Sequence, residues 1–408
     1  MNTKRPLAAF STAACFWAVC VAVLGPLTPF AADNPPLPPG VIINHSPQST
    51  GLYIGSPSLA ILSEGHYLAS HDYFGPTSLE HECPTVALFR STDRGQTWQP
   101  VTRLRCLFWN GLFTHRGAVY LMGADKHHGR IVIRRSRDAG LTWSEPRDAQ
   151  TGLLADGQYH TAPVPVIEHA GRLWRAFENA SGGAKWGERY QAGMLSIPVE
   201  ADLLVASNWT FSNFLPRNAQ WLGGRFGGWL EGNAVVSPHG RVLNLLRVDT
   251  PAPPEKAALV EISADGRTAS FDPDSGFIDF PGGAKKFTIR KDPQGDFYWT
   301  VATIISGDAT PMAGLGTTRK PAGVRNSLAL LRSADLRHWE IRCRLLHHPD
   351  VARHGFQYVD WQFEGPDLIA ACRTAFDDAE GGAHNNHDAN FLTFHRWTNF
   401  RTLKNDLQ

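Results

Sequence analysis

Hydrophobic residues recur along this chain in short runs that alternate or are β-branched, and the runs are bounded by Gly, Pro or Asp. A period of two between such breaks is typical of β-strands joined by turns. Runs of this kind lie at 59–62, 118–122, 131–134, 241–247, 257–262 and 327–332. Helical periodicity is confined to 199–205, where we expect a brief helical turn. The pattern therefore predicts an all-β fold.

A specific turn motif is repeated between these runs. Residues 91–98 read STDRGQTW and residues 136–143 read SRDAGLTW, which share the pattern S-x-D-x-G-x-T-W. In such a hairpin the Asp can accept backbone N–H bonds, and Gly takes a left-handed conformation that other residues resist. The Trp can then pack beside a neighbouring sheet. Residues 263–268 (SADGRT) keep the front half of the motif, and residues 333–339 (SADLRHW) keep its Ser, Asp and Trp but lose the Gly.

The spacing of the aromatic residue in each turn predicts the number of repeats. These aromatic positions are 98, 143, 209, 271, 339 and 397, so the intervals run from about 45 to about 68 residues. Each interval accommodates four short strands with their loops, which is one blade of a β-propeller. We predict six blades between about 41 and 401. Seven blades remain an alternative, because the Gly-, Thr- and Pro-rich stretch 302–324, which we interpret as a surface or lid loop, fits no strand pattern.

The length of the chain and its charge limit the possible folds and the kinds of molecule that it could bind. The chain has 408 residues, 42% of them hydrophobic, so one closed repeat fold with a large core is feasible. Lys and Arg number 39 against 38 Asp and Glu, which gives no long-range attraction for nucleic acid or an anionic membrane. Any recognition of charge must therefore be local.

The N-terminus has the composition of a secretory signal peptide. Lys4 and Arg5 precede an apolar run over 7–24, and Ala31 and Ala32 offer small residues for cleavage. Phe30 would occupy the −3 position, so the cleavage site stays open, and an uncleaved anchor is the alternative. We predict a signal peptide at 1–32 and a single propeller domain at 33–408, secreted or periplasmic, without a stable membrane partner after cleavage.

Four cysteines remain after removal of that segment. An even number in an exported chain favours disulfides. Cys83 and Cys106 would close a local loop, and Cys343 and Cys372 could pair between neighbouring strands of one late blade. The alternative for each pair is two buried thiols.

The repeated turns resemble the Asp-boxes of bacterial and animal sialidases and of the wider BNR-repeat superfamily. The resemblance implies a sialidase-like propeller whose Asp-boxes lie away from the catalytic mouth, so the motif reports fold and not chemistry. It also implies an arginine triad for a substrate carboxylate, a Tyr–Glu nucleophile pair and an Asp acid.

Only part of that implied site can be placed on the sequence. Arg247, in LLRVD, resembles the second arginine, with Glu231 upstream in WLEGN; Arg373, in CRT, resembles the third. The first arginine is missing, because the matching residues 53–59 read YIGSPSL. Tyr358 is the candidate nucleophile, although it precedes Arg373, whereas the family tyrosine follows its third arginine.

A second, shorter segment, residues 68–76 (LASHDYFGP), resembles propeller-fold ulvan lyases and α-L-rhamnosidases that act next to glucuronate. That resemblance implies a histidine in the central cavity as the acid–base group, here His71, since imidazole titrates near neutral pH. Asp72 should point to the opposite face of the strand. The alternative for His71 is a hydrogen-bonded structural histidine.

Polar residues on the innermost strands complete the candidate site, because those strands face the axial cavity of a propeller. The catalytic candidates are His71, Tyr358 and Glu231, and the substrate-binding candidates are Arg247, Arg373, His160, Asn233, Asp360 and His387. Each arginine could instead form an internal salt bridge to Glu231 or Asp249. The loop 384–390 could be interpreted as a metal site, but its Asn-rich spacing favours bonds to sugar hydroxyls, and we expect neither metal nor cofactor.

These residues predict an exported carbohydrate-active enzyme that cleaves a glycosidic bond beside an acidic sugar in an oligosaccharide or polysaccharide. A sialidase-like hydrolase and a uronate polysaccharide lyase both stay open, and a non-catalytic glycan-binding propeller is the alternative from another class.

Overall fold

The structure, a computed structural model, describes residues 37–305 and 320–404, and in them the chain forms six antiparallel sheets. The predicted signal peptide at 1–32 lies outside the described residues. In the described part of the chain no helix has the length and hydrophobicity needed to span a membrane.

Each sheet is one blade, and the blades follow one another along the chain. Blade 1 contains β2 (Tyr53–Ile54), β3 (Ser58–Ile61), β4 (Tyr67–Phe74), β5 (Thr85–Ser91) and β6 (Gln99–Arg105). Blade 2 contains β7 (Phe108–His115), β8 (Ala118–Ala124), β9 (Ile131–Ser136) and β10 (Leu153–Ala155). Blade 3 contains β11 (Tyr159–His160), β12 (Ile167–His169), β13 (Arg172–Asn179), β14 (Gln191–Pro198) and β15 (Thr210–Phe211).

The second half of the chain continues this order. Blade 4 contains β16 (Gly228–Val236), β17 (Val242–Asp249), β18 (Lys256–Ile262), β19 (Ala269–Ser270) and β20 (Phe277–Asp279). Blade 5 contains β21 (Thr288–Lys291), β22 (Tyr298–Thr303), β23 (Ser327–Ser333) and β24 (Glu340–His347). Blade 6 contains β25 (Gly355–Glu364), β26 (Asp367–Ala375) and β27 (Phe391–Trp397). The prediction of a six-bladed all-β propeller is confirmed.

The last blade is completed from the other end of the chain. Strand β1 (Val41–His45) pairs antiparallel with β27 and supplies the outer strand of blade 6. This pairing closes the ring, because the first described strand and the last are held together by backbone hydrogen bonds.

Neighbouring blades pack face to face, so most strands are buried on both sides. Every residue of β8 is buried, for example. Trp174 of blade 3 and Trp229 of blade 4 belong to one core cluster, and Tyr67 of blade 1 packs with Phe394 of blade 6 in another. This double burial explains why the strands read as short hydrophobic runs.

The repeated turns adopt one hydrogen-bonded geometry. Asp93 accepts the Thr97 backbone N–H at 2.9 Å, and the Ser91 hydroxyl accepts the Gly95 N–H at 2.8 Å. Asp138 and its neighbours repeat the same bonds with the same lengths. Gly95 has a φ of +90°, and a Cβ there would lie 2.2 Å from the Phe394 ring of blade 6. Glycine is therefore required both by the left-handed backbone and by the adjacent blade.

Two local predictions, the helical turn at 199–205 and the Cys343–Cys372 pair, need correction. Residues 199–205 form turns and not a helix; the short helices are α1 (Trp186–Arg189), α2 (Trp221–Gly224) and 3₁₀ turns at Gln48–Thr50, Ala206–Asn208, Pro321–Gly323 and Phe400–Thr402.

Cys83 and Cys106 form a disulfide, as one alternative predicted. Cys343 and Cys372 form none, because they are buried on β24 and β26 of different blades. Much of the predicted loop 302–324, residues 306–319, lies outside the described residues.

We expect Gly95→Ala to lower the free energy of unfolding by about 3 kcal/mol, because a left-handed alanine and an overpacked blade contact add together. Gly117→Ala is the matched control: its φ is +76°, but nothing lies within 4 Å of the added Cβ. It should cost only about 1 kcal/mol of backbone strain. Denaturant unfolding of both variants measures the difference, and equal losses would show that the turn does not press on the neighbouring blade.

Candidate active site

A central cavity of about 1410 Å³ opens where the inner strands of the blades converge. Six of the nine predicted site residues line it: Glu231, Tyr358, Arg247, Arg373, His160 and His387. The structure thus brings together residues that are separated by more than two hundred positions in sequence.

The inner strands of blades 2, 4 and 6 share one irregularity. In each, the register slips by one extra residue, between Phe108 and Gly111 in β7, Leu230 and Asn233 in β16, and Gln357 and Asp360 in β25. The residue that enters each bulge has a left-handed backbone: Trp109 (φ 51°), Glu231 (φ 57°) and Tyr358 (φ 55°). All three side chains line the cavity. A bulge re-aims a side chain that regular pairing would place elsewhere.

A buried charged residue from the preceding blade holds each bulge. The Asp72 carboxylate of blade 1 accepts the Trp109 backbone N–H at 2.5 Å. The Glu178 carboxylate of blade 3 accepts the Gly232 N–H at 3.1 Å, and the Lys286 ammonium of blade 5 donates to the Val359 carbonyl at 2.8 Å. Burial lowers the pKa of Lys286 to about 8, partly offset by Asp360 and Glu231. The odd blades therefore fix the strained segments of the even blades.

Glu231 and Arg247 form a buried ion pair beside Tyr358. Arg247 donates to the Glu231 carboxylate at 2.9 Å, and both side chains are almost fully buried. Burial alone would raise the pKa of Glu231, but Arg247, His160 and the Tyr358 hydroxyl together hold it below its usual value. Burial and then Glu231 raise the pKa of Tyr358 against three opposing arginines. At neutral pH this gives a carboxylate facing a neutral phenol.

Two further arginines surround the same tyrosine. The guanidinium carbon of Arg373 lies 4.8 Å from the Tyr358 ring centre, and that of Arg325 lies 5.9 Å away. Arg325 donates to the neutral Gln357 side chain at 2.6 Å, and Arg373 donates through Nε to the His387 carbonyl at 3.1 Å. Among the described residues neither arginine has a carboxylate as a hydrogen-bond partner, so this end of the cavity carries excess positive charge.

Asp72 adds a carboxyl group to the cavity wall. Burial raises the pKa of Asp72 to about 6, although the backbone N–H groups of Ser56 and Trp109 and the charge of Arg373 oppose that shift. Gly55 makes room for it, because a Cβ there would lie 1.7 Å from the Asp72 carboxylate oxygen. A carboxyl with this pKa can hold a proton in mildly acidic solution.

Two histidines of the predicted set lie at the cavity wall. His160 Nδ1 lies 2.8 Å from the Glu178 carboxylate, which fixes the orientation of the ring. His387 lies 2.7 Å from Asp388 through Nδ1, while burial and Arg373 lower the pKa of His387 to about 3. Residues 37–305 and 320–404 contain no group of three or more His, Cys, Asp or Glu able to hold a metal ion.

The structure places the other three predicted residues outside the cavity. His71 is fully buried between blades, where its ring bonds to the Asn44 side chain at 2.9 Å and to the Asp72 carbonyl at 2.9 Å. Asn233 bonds to the backbone of Phe287 and Ile289, which joins blade 4 to blade 5. Asp360 accepts the Leu59 N–H at 2.9 Å and joins blade 6 to blade 1. The positions predicted for these three side chains are therefore wrong, because each satisfies inter-blade backbone or buried polar groups.

The sequence did not identify Arg325, and Asp72 was not included among the predicted site residues. Arg325 lies on no strand and follows the residues 306–319, so no periodic pattern marked it. Asp72 and His71 are adjacent on β4, and the alternation of a strand gives two opposite faces without saying which one meets the axis. The small Gly55 opposite Asp72 was the available signal.

No family model matches this chain, and no curated protein matches it by sequence. Solved structures do match. The GH93 α-L-arabinofuranosidase of Fusarium graminearum aligns with a TM-score of 0.56 at 11% identity, over 90% of this chain and 98% of that one. A Hadza microbial sialidase aligns with a TM-score of 0.59 at 14% identity, over 88% and 68%. The leech intramolecular trans-sialidase aligns with a TM-score of 0.56 at 12% identity, over 90% and 71%.

These structures are similar to the chain over nearly all of its length, but at identities that establish architecture alone. The chain therefore has the fold of a six-bladed β-propeller, similar in architecture to these glycosidase and sialidase structures.

Proposed function

We propose that this protein is a glycoside hydrolase that removes a terminal acidic sugar. The observation that carries the proposal is the set of three arginines, Arg247, Arg325 and Arg373, around the Tyr358–Glu231 pair in the central cavity. Such a set offers both a binding site for a carboxylate and a group able to attack a sugar carbon.

Recognition of a carboxylate follows from the unpaired guanidinium groups. Arg247 already pairs with Glu231, whereas Arg325 and Arg373 contact only neutral acceptors among the described residues. The buried Nε atoms of Arg247 and Arg325 have no hydrogen-bond partner there. Buried donors and charges without partners are costly, and a carboxylate satisfies guanidinium groups with two oxygens. A sialic or uronic acid would supply that group.

The same geometry supports a two-step reaction. Tyr358 Oη attacks the anomeric carbon while Glu231 accepts the phenol proton, and the glycosidic oxygen leaves with a proton from Asp72. Water then attacks the anomeric carbon and gives one proton to the Asp72 carboxylate. The bond between that carbon and Tyr358 Oη breaks, and Glu231 returns its proton to the tyrosine oxygen. Two displacements at one carbon leave the anomeric configuration retained. Arg247 keeps Glu231 ionised and therefore able to act as the base.

The solved neighbours support a carbohydrate ligand. The Fusarium enzyme is a complex with arabinobiose, and the leech enzyme is a complex with 2,7-anhydro-Neu5Ac. In this proposal Arg325, and not Arg373 as the sequence suggested, takes the place of the family's third arginine, because Arg325 precedes Tyr358 in the chain as that arginine precedes the family tyrosine. Arg373, on blade 6, would then take the place of the family's first arginine, which lies at the start of blade 1 in that family.

A uronate lyase and a glycan-binding propeller are the two alternatives. With His71 outside the cavity, a lyase would need Tyr358 to take the proton next to the uronate carboxyl. A binding protein would use the same arginines without turnover. Incubation of the purified protein with sialosides and with rhamnose–uronate polysaccharides separates them. Ultraviolet absorbance of an unsaturated uronate indicates a lyase, new reducing ends without that absorbance indicate a hydrolase, and binding alone indicates a lectin.

We also infer that the protein is exported, to the periplasm or beyond the cell. The signal-like segment 1–32 and the Cys83–Cys106 disulfide support an oxidising compartment. N-terminal sequencing of the protein recovered from culture tests this, since a start at Met1 in the cytosolic fraction would contradict it.

We expect Tyr358→Phe to lower kcat by at least about 1000-fold, because removal of the nucleophile blocks both steps. Proton NMR of the first product released by the wild type should show retained anomeric configuration. Inverted product, or full activity in Tyr358→Phe, would exclude the mechanism.

We expect Arg325→Ala to lower kcat/KM for the acidic glycoside by about 10- to 100-fold, the loss of a charge-assisted hydrogen bond. The substrate methyl ester should be a poor substrate of the wild type and should lose nothing further in the variant. The exposed Arg147→Ala is the control and should leave both rates unchanged. Equal losses on acid and ester would mean that Arg325 does not bind the carboxylate.

We expect the wild-type kcat/KM to fall as pH rises through about 6, because a general acid at Asp72 must carry its proton and burial raises its pKa to about 6. Asp72→Asn should lose that alkaline limb and should slow glycosides with poor leaving groups by about 100-fold or more, with a smaller loss on good leaving groups. Glu200→Gln, an exposed change outside the cavity, should keep the wild-type profile. An unchanged alkaline limb in Asp72→Asn would rule out this role.

A further inference from the structure

The cavity has two chemically different halves. The arginines, Glu231 and Tyr358 come from blades 4, 5 and 6. The wall opposite comes from blades 1, 2 and 3 and is built largely of rings. We call its six members the aromatic strip: His81, His127, Trp109, His128, Tyr190 and Trp186.

The rings of the aromatic strip form an unbroken series. Neighbouring ring centres are 4.5 Å apart between His81 and His127, 4.8 Å between His127 and Trp109, and 5.5 Å between Trp109 and His128. The series continues over 5.8 Å from His128 to Tyr190 and 5.8 Å from Tyr190 to Trp186.

The strip ends at the arginine half of the cavity. The guanidinium carbon of Arg247 lies 5.6 Å from the Trp186 ring centre. Trp186 is 45% exposed, and His81 is exposed at the other end. A ligand whose acidic group is held by the arginines could therefore extend along the rings toward the solvent.

The strip offers ring faces and neutral hydrogen-bonding groups. Burial and the neighbouring histidines lower the pKa of His127 to about 3 and that of His128 to about 2. His128 Nδ1 accepts from Arg189 at 2.7 Å, so its Nε2–H donates to the Tyr190 oxygen at 3.2 Å. This leaves the Tyr190 hydroxyl proton for an acceptor in the cavity.

The charges around the strip do not favour a second acidic group. Apart from the candidate acid Asp72, four carboxylates in this half face three basic side chains: Glu80, Glu82, Asp125 and Asp156 against Lys126, Arg130 and Arg189. Arg130 is paired with Asp125 at 2.7 Å. The local balance is slightly negative, in contrast to the arginine half.

The cavity is also larger than one sugar requires. Its volume of about 1410 Å³ exceeds the roughly 300–1,000 Å³ common for sites that enclose a drug-sized ligand. Ring faces pack against the C–H face of a pyranose, and the polar edges of His and Tyr suit its hydroxyls.

We propose that the aromatic strip binds the neutral sugar units that follow the terminal acidic sugar, so that the preferred substrate is an acid-capped oligosaccharide. This inference rests on the proposed function, because the acidic sugar fixes the direction in which the chain extends. It adds the substrate class: at least a trisaccharide with one acidic end and neutral units behind it.

The test is the dependence of kcat/KM on substrate length. The probes are methyl α-sialoside, 3′-sialyllactose and a sialylated pentasaccharide, with methyl glucuronide and glucuronyl-capped tri- and pentasaccharides as the uronate series. For the wild type we expect kcat/KM for the trisaccharide to exceed that for the methyl glycoside by about 10-fold or more in one series, since the added sugar units would pack against the rings of the aromatic strip.

Trp109→Ala and His127→Ala should each remove most of that gain and change kcat/KM for the methyl glycoside far less. His127→Ala leaves the bulge of blade 2 intact, so it tests the strip even if Trp109→Ala folds poorly. His239→Ala, an exposed histidine outside the cavity, is the matched control and should keep the full length dependence.

Two failures are distinguishable. If methyl glycosides are cleaved but length adds nothing, or if the gain survives in both variants, the aromatic strip is not a sugar site, and the proposed function stands. If no acidic glycoside of either series is cleaved or bound, the proposed function itself is wrong and this inference is overturned with it.

Discussion

The site depends on three buried charged residues, one on each odd-numbered blade. Each of them forms a hydrogen bond with the inner strand of the next blade. Asp72 and Glu178 accept backbone N–H groups of the bulges at Trp109 and Glu231, and Lys286 donates to the carbonyl beside Tyr358. Left-handed non-glycine residues cost on the order of 1–3 kcal/mol each and persist only where the surroundings fix them. A buried charge is also costly unless it is bonded. The hydrogen bond between the buried charge and the bulge offsets both costs. The strained backbone and the buried charge therefore occur together, at the positions where a side chain points into the cavity.

This arrangement separates the chemistry of the cavity into two halves. The later blades present Arg247, Arg325 and Arg373 around Tyr358, and the earlier blades present a series of rings in which His127 and His128 are uncharged at neutral pH. Asp72 belongs to an early blade, yet its pKa responds to Arg373 of the last one. The ring closure by β1 therefore matters for chemistry, because it sets blade 1 against blade 6, and the candidate acid and the candidate nucleophile then line the same cavity.

The fold was largely predictable from the sequence, and the site only in part. The turn at 91–98 repeats with fixed roles for Ser, Asp and Gly, so local physics determines it wherever it occurs. Glu231 and Arg247 were identified because the hydrophobic pattern marks the strand of Arg247 and because the segments WLEGN and LLRVD resemble the sialidase pattern. Arg325 follows an irregular segment, and His71 and Asp72 are neighbours on one strand, so their placement depends on how blades pack. The bulges that aim Glu231 and Tyr358 arise from contacts with other blades and leave no periodic trace.

We propose that Arg325 and Arg373, beside the Arg247–Glu231 pair, hold the carboxylate of a sugar whose anomeric carbon faces Tyr358. A crystal structure of Tyr358→Phe with an acid-capped trisaccharide tests this most directly, since the substrate would remain uncleaved. We expect its carboxylate within hydrogen-bond distance of Arg325 and Arg373, and its anomeric carbon next to the ring at position 358. A carboxylate bound elsewhere in the cavity, with the arginines still occupied only by Glu231, Gln357 and the His387 carbonyl, would contradict the account.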